Sequence, residues 1–283
     1  MSGGASTDGA RIAVIIPCYR DGELLPEAIA SVSEEESLEV VVVDDASDDE
    51  ATRLALEQLS TASVTVARHE RNLGVAAARN TGLGATRARY VFPLDADDLA
   101  ASGVLGQMAD RLDENPEAEV CFGDYREFGS SELLRQVPGH IDPYRLLYTN
   151  EYPVSALYRR TALEAVGGWA ALPAYEDWHL WMSLAERGAT GVHMGPQTVT
   201  YRRRLHGERL LTRAKFNHRR LYLRLRQDHP RLSGDMREHR RRSSLSRRRK
   251  LLYPLVYGGR PRFSWEARVK TLLDRSGIWT LRR

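Results

Sequence analysis

Two aspartates one residue apart, Asp95 and Asp97, offer a specific chemistry to the 283-residue chain. They follow the apolar run YVFPL, and in extended backbone residues i and i+2 point the same way. Two carboxylates aimed at one place repel unless a cation sits between them. Hard oxygen donors suit Mg2+ or Mn2+, which in turn bridge substrate phosphates. A solvated acidic turn or a helix cap uses the same residues, so D-x-D taken alone leaves both readings open. A second acidic pair, Asp44-Asp45, closes the valine run at 40–43. It could accept hydrogen bonds from a base or ribose, or it could cap the helix that follows.

Three further constellations carry chemistry. In RHERNLGVAAARNTG, residues 68–82, Gly74 permits a tight turn. Arg79, on the helix that follows, could reach a diphosphate or pair with a carboxylate at the strand ends. Glu176-Asp177 precede Trp178-His179-Leu180-Trp181. Acidic residues at a helix start favour the dipole; they could equally supply a carboxylate base beside aromatic walls. His206, in YRRRLHG, could serve as a neutral imidazole ligand to a metal or stand as a surface residue.

These residues need a scaffold, and the sequence supplies a regular one. The runs at 11–17, 38–43, 63–67, 90–94 and 118–122 are rich in β-branched and apolar residues and predict buried strands. Helical spacing falls between them: Leu25, Ala28, Ile29 and Val32; Leu54, Ala55 and Leu59; Val104, Met108 and Leu112. S-x-x-E at Ser47 and T-x-x-E at Thr161 predict capping boxes. A small-residue helix is expected over 74–86, a helix over 176–187 stopped by Gly188, and a last strand over 198–201. Such alternation predicts an α/β fold with a mainly parallel sheet, whose ligands bind beyond the carboxyl ends of the strands. Two of those ends carry the aspartate pairs.

Composition narrows the field. Apolar residues make up 42% and charged residues 28%, which excludes disorder throughout. Two cysteines, Cys18 and Cys121, form neither a disulfide framework nor a zinc spacing, and suit a reducing compartment. Residues 1–10 lack the charged start and apolar run of a signal peptide, and the aliphatic runs are too short to span a bilayer, so a cytoplasmic protein is expected. The net charge of +3 hides an asymmetry. Residues 1–200 hold 15 Lys and Arg against 32 Asp and Glu, and residues 201–283 hold 26 against 6. The basic part carries no recognised nucleic-acid-binding motif. Its arginine clusters, together with Trp265, Val269 and Leu272 at helical spacing, suit an anionic membrane surface, a helical cap on the body, or self-association.

In order, the segments IIPCYRDGELLPEAIASV, VVVDDASDDE, RNLGVAAARNTGLGAT, YVFPLDADD, VGGW…YEDWHLWMSLAERG and YRRRLHG together resemble the inverting family 2 glycosyltransferases of GT-A fold. The resemblance spans about residues 11–210. It implies a GT-A domain there; composition, charge and helical spacing predict a flexible 1–10 and a basic, mainly helical extension over 211–283. The resemblance implies that Pro17, Tyr19, Asp44 and Asp45 line a nucleotide pocket, that Arg79 lies near the nucleotide or diphosphate, and that Asp95 contacts ribose or metal. By the same resemblance Asp97 holds Mn2+ or Mg2+, Asp177 is the catalytic base with Glu176 beside it, and His206 completes the metal or diphosphate site. Arg20 stands where many members have Asn, and the serine usual after the histidine is absent.

The implied reaction is transfer from a nucleotide-diphosphate sugar, UDP-linked by default with GDP and dTDP open, to a hydroxyl acceptor with inversion. Partners would be that donor, the acceptor, an anionic membrane at the inner face and a second copy of the chain. Sugar nucleotidyl transfer is a weaker alternative, because the loop after the first strand, CYRDGE, has one glycine. A non-enzymatic nucleic-acid-binding protein is another, resting on the basic tail alone.

Overall fold

The computed structural model describes residues 9–32, 34–59, 64–130, 132–205 and 211–257. Strand and helix alternate from the start: β1 (Ile12–Cys18), α1 (Leu25–Ser31), β2 (Leu38–Asp44), α2 (Glu50–Leu59), β3 (Val64–Arg68), α3 (Val75–Ala85) and β4 (Tyr90–Pro93). The chain continues with β5 (Leu99–Ala100), α4 (Val104–Glu114), β6 (Ala118–Phe122), β7 (Asp124–Gly129), β8 (Leu133–Arg135) and α5 (Pro143–Leu146). Then follow β9 (Leu157–Arg159), α6 (Arg160–Ala165), α7 (Glu176–Glu186), β10 (Thr190–His193) and β11 (Val199–Leu205). Four helices end the described chain: α8 (Leu211–Asp228), α9 (Pro230–Gly234), α10 (Met236–Arg242) and α11 (Arg247–Tyr257).

A seven-stranded sheet runs in the order β10-β6-β9-β4-β1-β2-β3. All its neighbours are parallel except β9, which lies antiparallel to β4 and β6. A four-stranded sheet, β5-β11-β7-β8, stands beside it. Of β9 and these four strands, the sequence signals only β11, as the strand expected over 198–201; β5, β7, β8 and β9 lack a long apolar run. All seven residues of β1 are buried because the sheet is covered on both faces. Ile15 packs into one core with Val91, Phe122 and Trp181, while Val14 and Ile16 pack into the other with Phe92, Leu105 and Met108. Each such buried aliphatic contributes roughly 1.5–3 kcal/mol. Small residues on α3 let it lie close on β1: a Cβ at Gly82 would come 2.3 Å from Ile15 Cγ2.

Neither expected capping box forms. Asp49, not Ser47, caps α2, its Oδ1 accepting from the Thr52 amide at 2.9 Å. Ser47 is drawn away because its hydroxyl accepts from the Arg20 amide. Helix α6 opens at Arg160, one residue before Thr161, with no side-chain cap.

On α8, Leu221, Tyr222 and Leu225 are buried. Helices α8–α11 join the core that contains α7 through Tyr222, Leu225, Leu232, Leu245 and Tyr253. The switch from acidic to basic sequence at residue 200 falls inside β11, which pairs with β5 and β7. Among the described residues no helix is long and apolar enough to cross a membrane. Residues 206 and 258–283, and with them His206 and the Trp265/Val269/Leu272 face, lie outside the described residues.

Candidate active site

Parallel strands put the ends of β1, β2 and β4 along one edge of the sheet, where ligands of such folds gather. Pro17 and Tyr19 stand at the end of β1, Asp44 and Asp45 at the end of β2, and Asp95, Asp97 and Asp98 directly after β4. The register sets Cys18 beside Asp44, and the Asp45 amide donates to the Cys18 carbonyl at 2.9 Å.

Arg79 links this edge to α7. Its side chain is 2% exposed, with Nη2 2.6 Å from Asp95 Oδ1 and Nη1 3.0 Å from Glu176 Oε1. Burial works against its charge, but the two carboxylates outweigh burial and hold the guanidinium protonated. One buried arginine thus fixes the start of α7 against the end of β4, across 97 residues of sequence. The residue before α7, Tyr175, has φ +68, a sparsely populated conformation for a non-glycine residue.

Asp95, Asp97 and Asp98 each offer a carboxylate oxygen, all within 4.8 Å of one another. Asp98 is buried, and its Oδ1 accepts from the Arg204 amide at 2.8 Å. Burial, then the charges of Asp95 and Asp97, push its carboxyl well above the usual range. Three crowded carboxylates form a hard-oxygen set suited to Mn2+ or Mg2+, so the residues fit a divalent cation.

Asp177 lies next to Glu176 in the first turn of α7. Its Oδ2 accepts from Asn150 Nδ2 at 3.0 Å and its Oδ1 from the Trp178 amide at 2.7 Å. The Asn150 carbonyl oxygen accepts from the Tyr152 amide, which fixes which end of the amide faces Asp177. Burial first, then the charge of Glu176, push the Asp177 carboxyl up to about 6, against the pull of Arg79 and Arg203. Trp178 and Trp181, read from the sequence as possible pocket walls, are instead buried in the core, and their indole N–H groups donate to the carbonyls of Leu146 and Pro153.

The Asp44–Asp45 side of this edge is built differently. Asp44 Oδ1 accepts from the Ser47 amide, and Arg68 Nε lies 2.9 Å from its Oδ2. Asp45 accepts from the Leu73 and Gly74 amides at 2.8 and 2.7 Å and meets His69 Nδ1 at 2.7 Å. Gly74 takes φ +90 here, which starts α3 and aims Arg79. An open cleft of about 430 Å³, lined by Ala46, Ser47, Arg68, His69 and Glu70, lies at the ends of β2 and β3. Tyr19 is exposed, with the Arg20 guanidinium 5.4 Å from its ring centre.

The model of the family described as Glycosyl transferase family 2 matches residues 13–167, more than half of the chain. The chain belongs to that family. A glycosyltransferase of Haemophilus influenzae is 25% identical over 200 residues, 67% of each chain. The chain spans 40% and 41% of the length of the next two curated relatives it matches. Among solved structures, Staphylococcus aureus TarS 1-349 in complex with UDP-GlcNAc aligns over 85% of this chain and 69% of its own, with a TM-score of 0.62 at 19% identity. The mannosyltransferase PcManGT of Pyrobaculum calidifontis, in complex with GDP-Man and Mn2+, aligns over 97% and 82%, with a TM-score of 0.58 at 19% identity. The fold is the GT-A fold of glycosyltransferases.

Arg79, Asp95 and Glu176 are joined by direct bonds, with Asp97 and Asp177 alongside them in sequence and space. Asp44 and Asp45 sit two strands across. Three residues of this cluster were not singled out by the sequence. Asp98 was legible as the third acid of DADD, but alternation turned it away, and only the turn after β4 brings it back. Asn150 bonds Asp177 and the charge of Arg203 acts on it, both through tertiary packing that leaves no local signal.

Proposed function

We propose that the chain transfers a sugar from a nucleotide-diphosphate sugar to a hydroxyl acceptor, with inversion at the anomeric carbon. One observation carries this reading: Arg79 bonds both Asp95 and Glu176, and so places a carboxyl of raised pKa, Asp177, beside a carboxylate cluster. TarS holds UDP-GlcNAc and the mannosyltransferase holds GDP-Man with Mn2+ on the same fold, which supports a nucleotide-sugar donor here. UDP is the first carrier to try, then GDP and dTDP.

Asp95, Asp97 and Asp98 would hold Mn2+ or Mg2+, with His206 as a further ligand. When bound, the cation would neutralise charge on the diphosphate leaving group. Pro17, Tyr19, Asp44 and Asp45 would line the nucleotide side. Asp177 acts as general base. A carboxyl at about 6 is ionised at neutral pH and more basic than a free aspartate. It takes the acceptor proton as the hydroxyl oxygen bonds to the anomeric carbon. The bond from that carbon to the diphosphate breaks from the opposite face, and its electron pair leaves with the diphosphate. Asn150 keeps Asp177 oriented, and Arg79 holds Glu176 away from the proton.

The test is a thermal-shift and calorimetric screen of UDP, GDP and dTDP and their sugars, each with Mn2+ and with EDTA. One nucleotide series should raise the melting temperature, with the larger rise in Mn2+. No shift with any nucleotide would overturn the donor assignment, and equal shifts in EDTA would overturn the cation.

A further inference from the structure

The two most exposed large apolar side chains among the described residues are Leu251, at 62%, and Leu223, at 50%. Both lie among arginines. On α11, Arg247, Arg248 and Leu251 share the outward face, while Leu252 and Tyr253 turn inward. On α8, Arg219, Arg220, Leu223 and Arg224 are exposed, while Leu221, Tyr222 and Leu225 are buried. Helix α10 adds Arg237, Arg240 and Arg241 at i, i+3, i+4 spacing, all exposed, with Met236 turned to the core. Arg242 pairs with Glu238, and Arg224 with Asp228. Arg237, Arg240, Arg241, Arg247 and Arg248 pair with no carboxylate among the described residues.

A solvated helix face gains nothing from an exposed leucine, and like charges crowded on one face repel. The arrangement persists because the helices are held by polar anchors on their other side. The Tyr144 hydroxyl donates to the Lys250 carbonyl at 2.7 Å, Ser243 Oγ to Asp142 at 2.7 Å, and the Tyr253 hydroxyl to Glu151 at 2.6 Å. All three anchors come from residues 142–151, the stretch that also presents Asn150 to Asp177. The arginine faces are therefore rigidly displayed on the body and are not a loose tail.

We propose that α8, α10 and α11 form a docking surface for an anionic lipid bilayer. Arginines rimming one leucine on α8 and one on α11 match such an interface: the cations meet headgroup phosphates and the leucines enter the acyl boundary. Charge complementarity favours lipid over an acidic protein partner, because a salt-independent apolar side chain lies inside the basic rows of α8 and α11. A bilayer, unlike a nucleic-acid backbone, gives those leucines somewhere to go. The surface is independent of the donor chemistry proposed above.

The full chain would be co-sedimented with phosphatidylcholine vesicles, with and without phosphatidylglycerol, at low and high salt. Binding to the anionic vesicles at low salt is expected, weakened but not abolished by high salt. The combined variant Arg240→Glu, Arg241→Glu, Arg247→Glu and Arg248→Glu should bind about ten-fold or more weakly. Leu251→Asn should lose mainly the salt-resistant part. Circular dichroism melting checks that both variants keep the fold. Equal pelleting with neutral vesicles, or a folded quadruple variant that binds like wild type, would overturn the proposal. So would retention on duplex DNA or RNA without vesicle binding.

Discussion

Asp45 and Asp177 are both acidic residues close to the same sheet edge, yet they are held in opposite ways. Asp45 takes two backbone amides and a histidine nitrogen from the stretch that leads into α3. Asp177 takes one side-chain donor and one amide of its own helix, beside another carboxylate. The same contrast separates Asp44, between an amide and Arg68, from Asp98, crowded by Asp95 and Asp97. A carboxylate surrounded by protein donors has its charge answered within the fold, and it orders a loop. A carboxylate crowded by its own kind has its charge only partly answered by its donors, and a proton or a cation completes the balance. The first arrangement builds the edge, and the second leaves it ready to exchange something with a ligand.

The sharpest way to break this contrast is Asp177→Asn, which keeps size and removes basicity. Turnover should fall by roughly 10²–10⁴, with nucleotide affinity unchanged by calorimetry. Normal turnover would end its role as base, and lost nucleotide binding would make it structural. Asp45→Ala should act on the fold. It strands the amides of Leu73 and Gly74, and a stability loss of about 2–4 kcal/mol is expected in urea unfolding. A variant as stable as wild type would show that water replaces the carboxylate without cost.

Asp97→Asn should do the reverse of Asp45→Ala. Removing one of three crowded charges should leave apo stability within about 1 kcal/mol of wild type, or raise it. The rise in melting temperature on adding Mn2+ should disappear, and a full Mn2+ response would place the cation elsewhere. The smallest effect is on pH dependence. A base at about 6 works only when deprotonated, so the rate should rise with pH through that value. Asn150→Ala removes a donor to the charged form and should move this limb to higher pH by on the order of one unit. An unmoved limb, with turnover lowered, would limit Asn150 to holding its loop.

The strands and helices as far as residue 122, the two-residue β5 apart, were legible because their signals are local. Buried parallel strands need unbroken β-branched runs, as in β1 and β2, and α3 needs small residues where Gly82 meets Ile15. The failures were local signals overruled from a distance. Ser47 had the sequence of a helix cap but was taken by the Arg20 amide, so Asp49 serves instead. Trp178 and Trp181 could have been pocket walls or core, and packing put both in the core.

The sequence by itself determined which residues could do chemistry, and that Asp44, Asp45, Asp95 and Asp97 would stand at strand ends. It did so because a strand that ends in acid after a fully apolar run has one place to put that acid. It also determined the charge asymmetry, though not its boundary, since the arginines at 202–204 belong to a strand paired with the acidic body. Only the tertiary structure decided that Arg79 joins Asp95 to Glu176, that Asn150 reaches Asp177, and that Asp98 enters the carboxylate cluster. The first two contacts cross 97 and 27 residues of chain, and the Arg204 amide that holds Asp98 in place comes from 106 residues away. No periodicity encodes such distances; packing of α7 and β11 against the strand ends sets them.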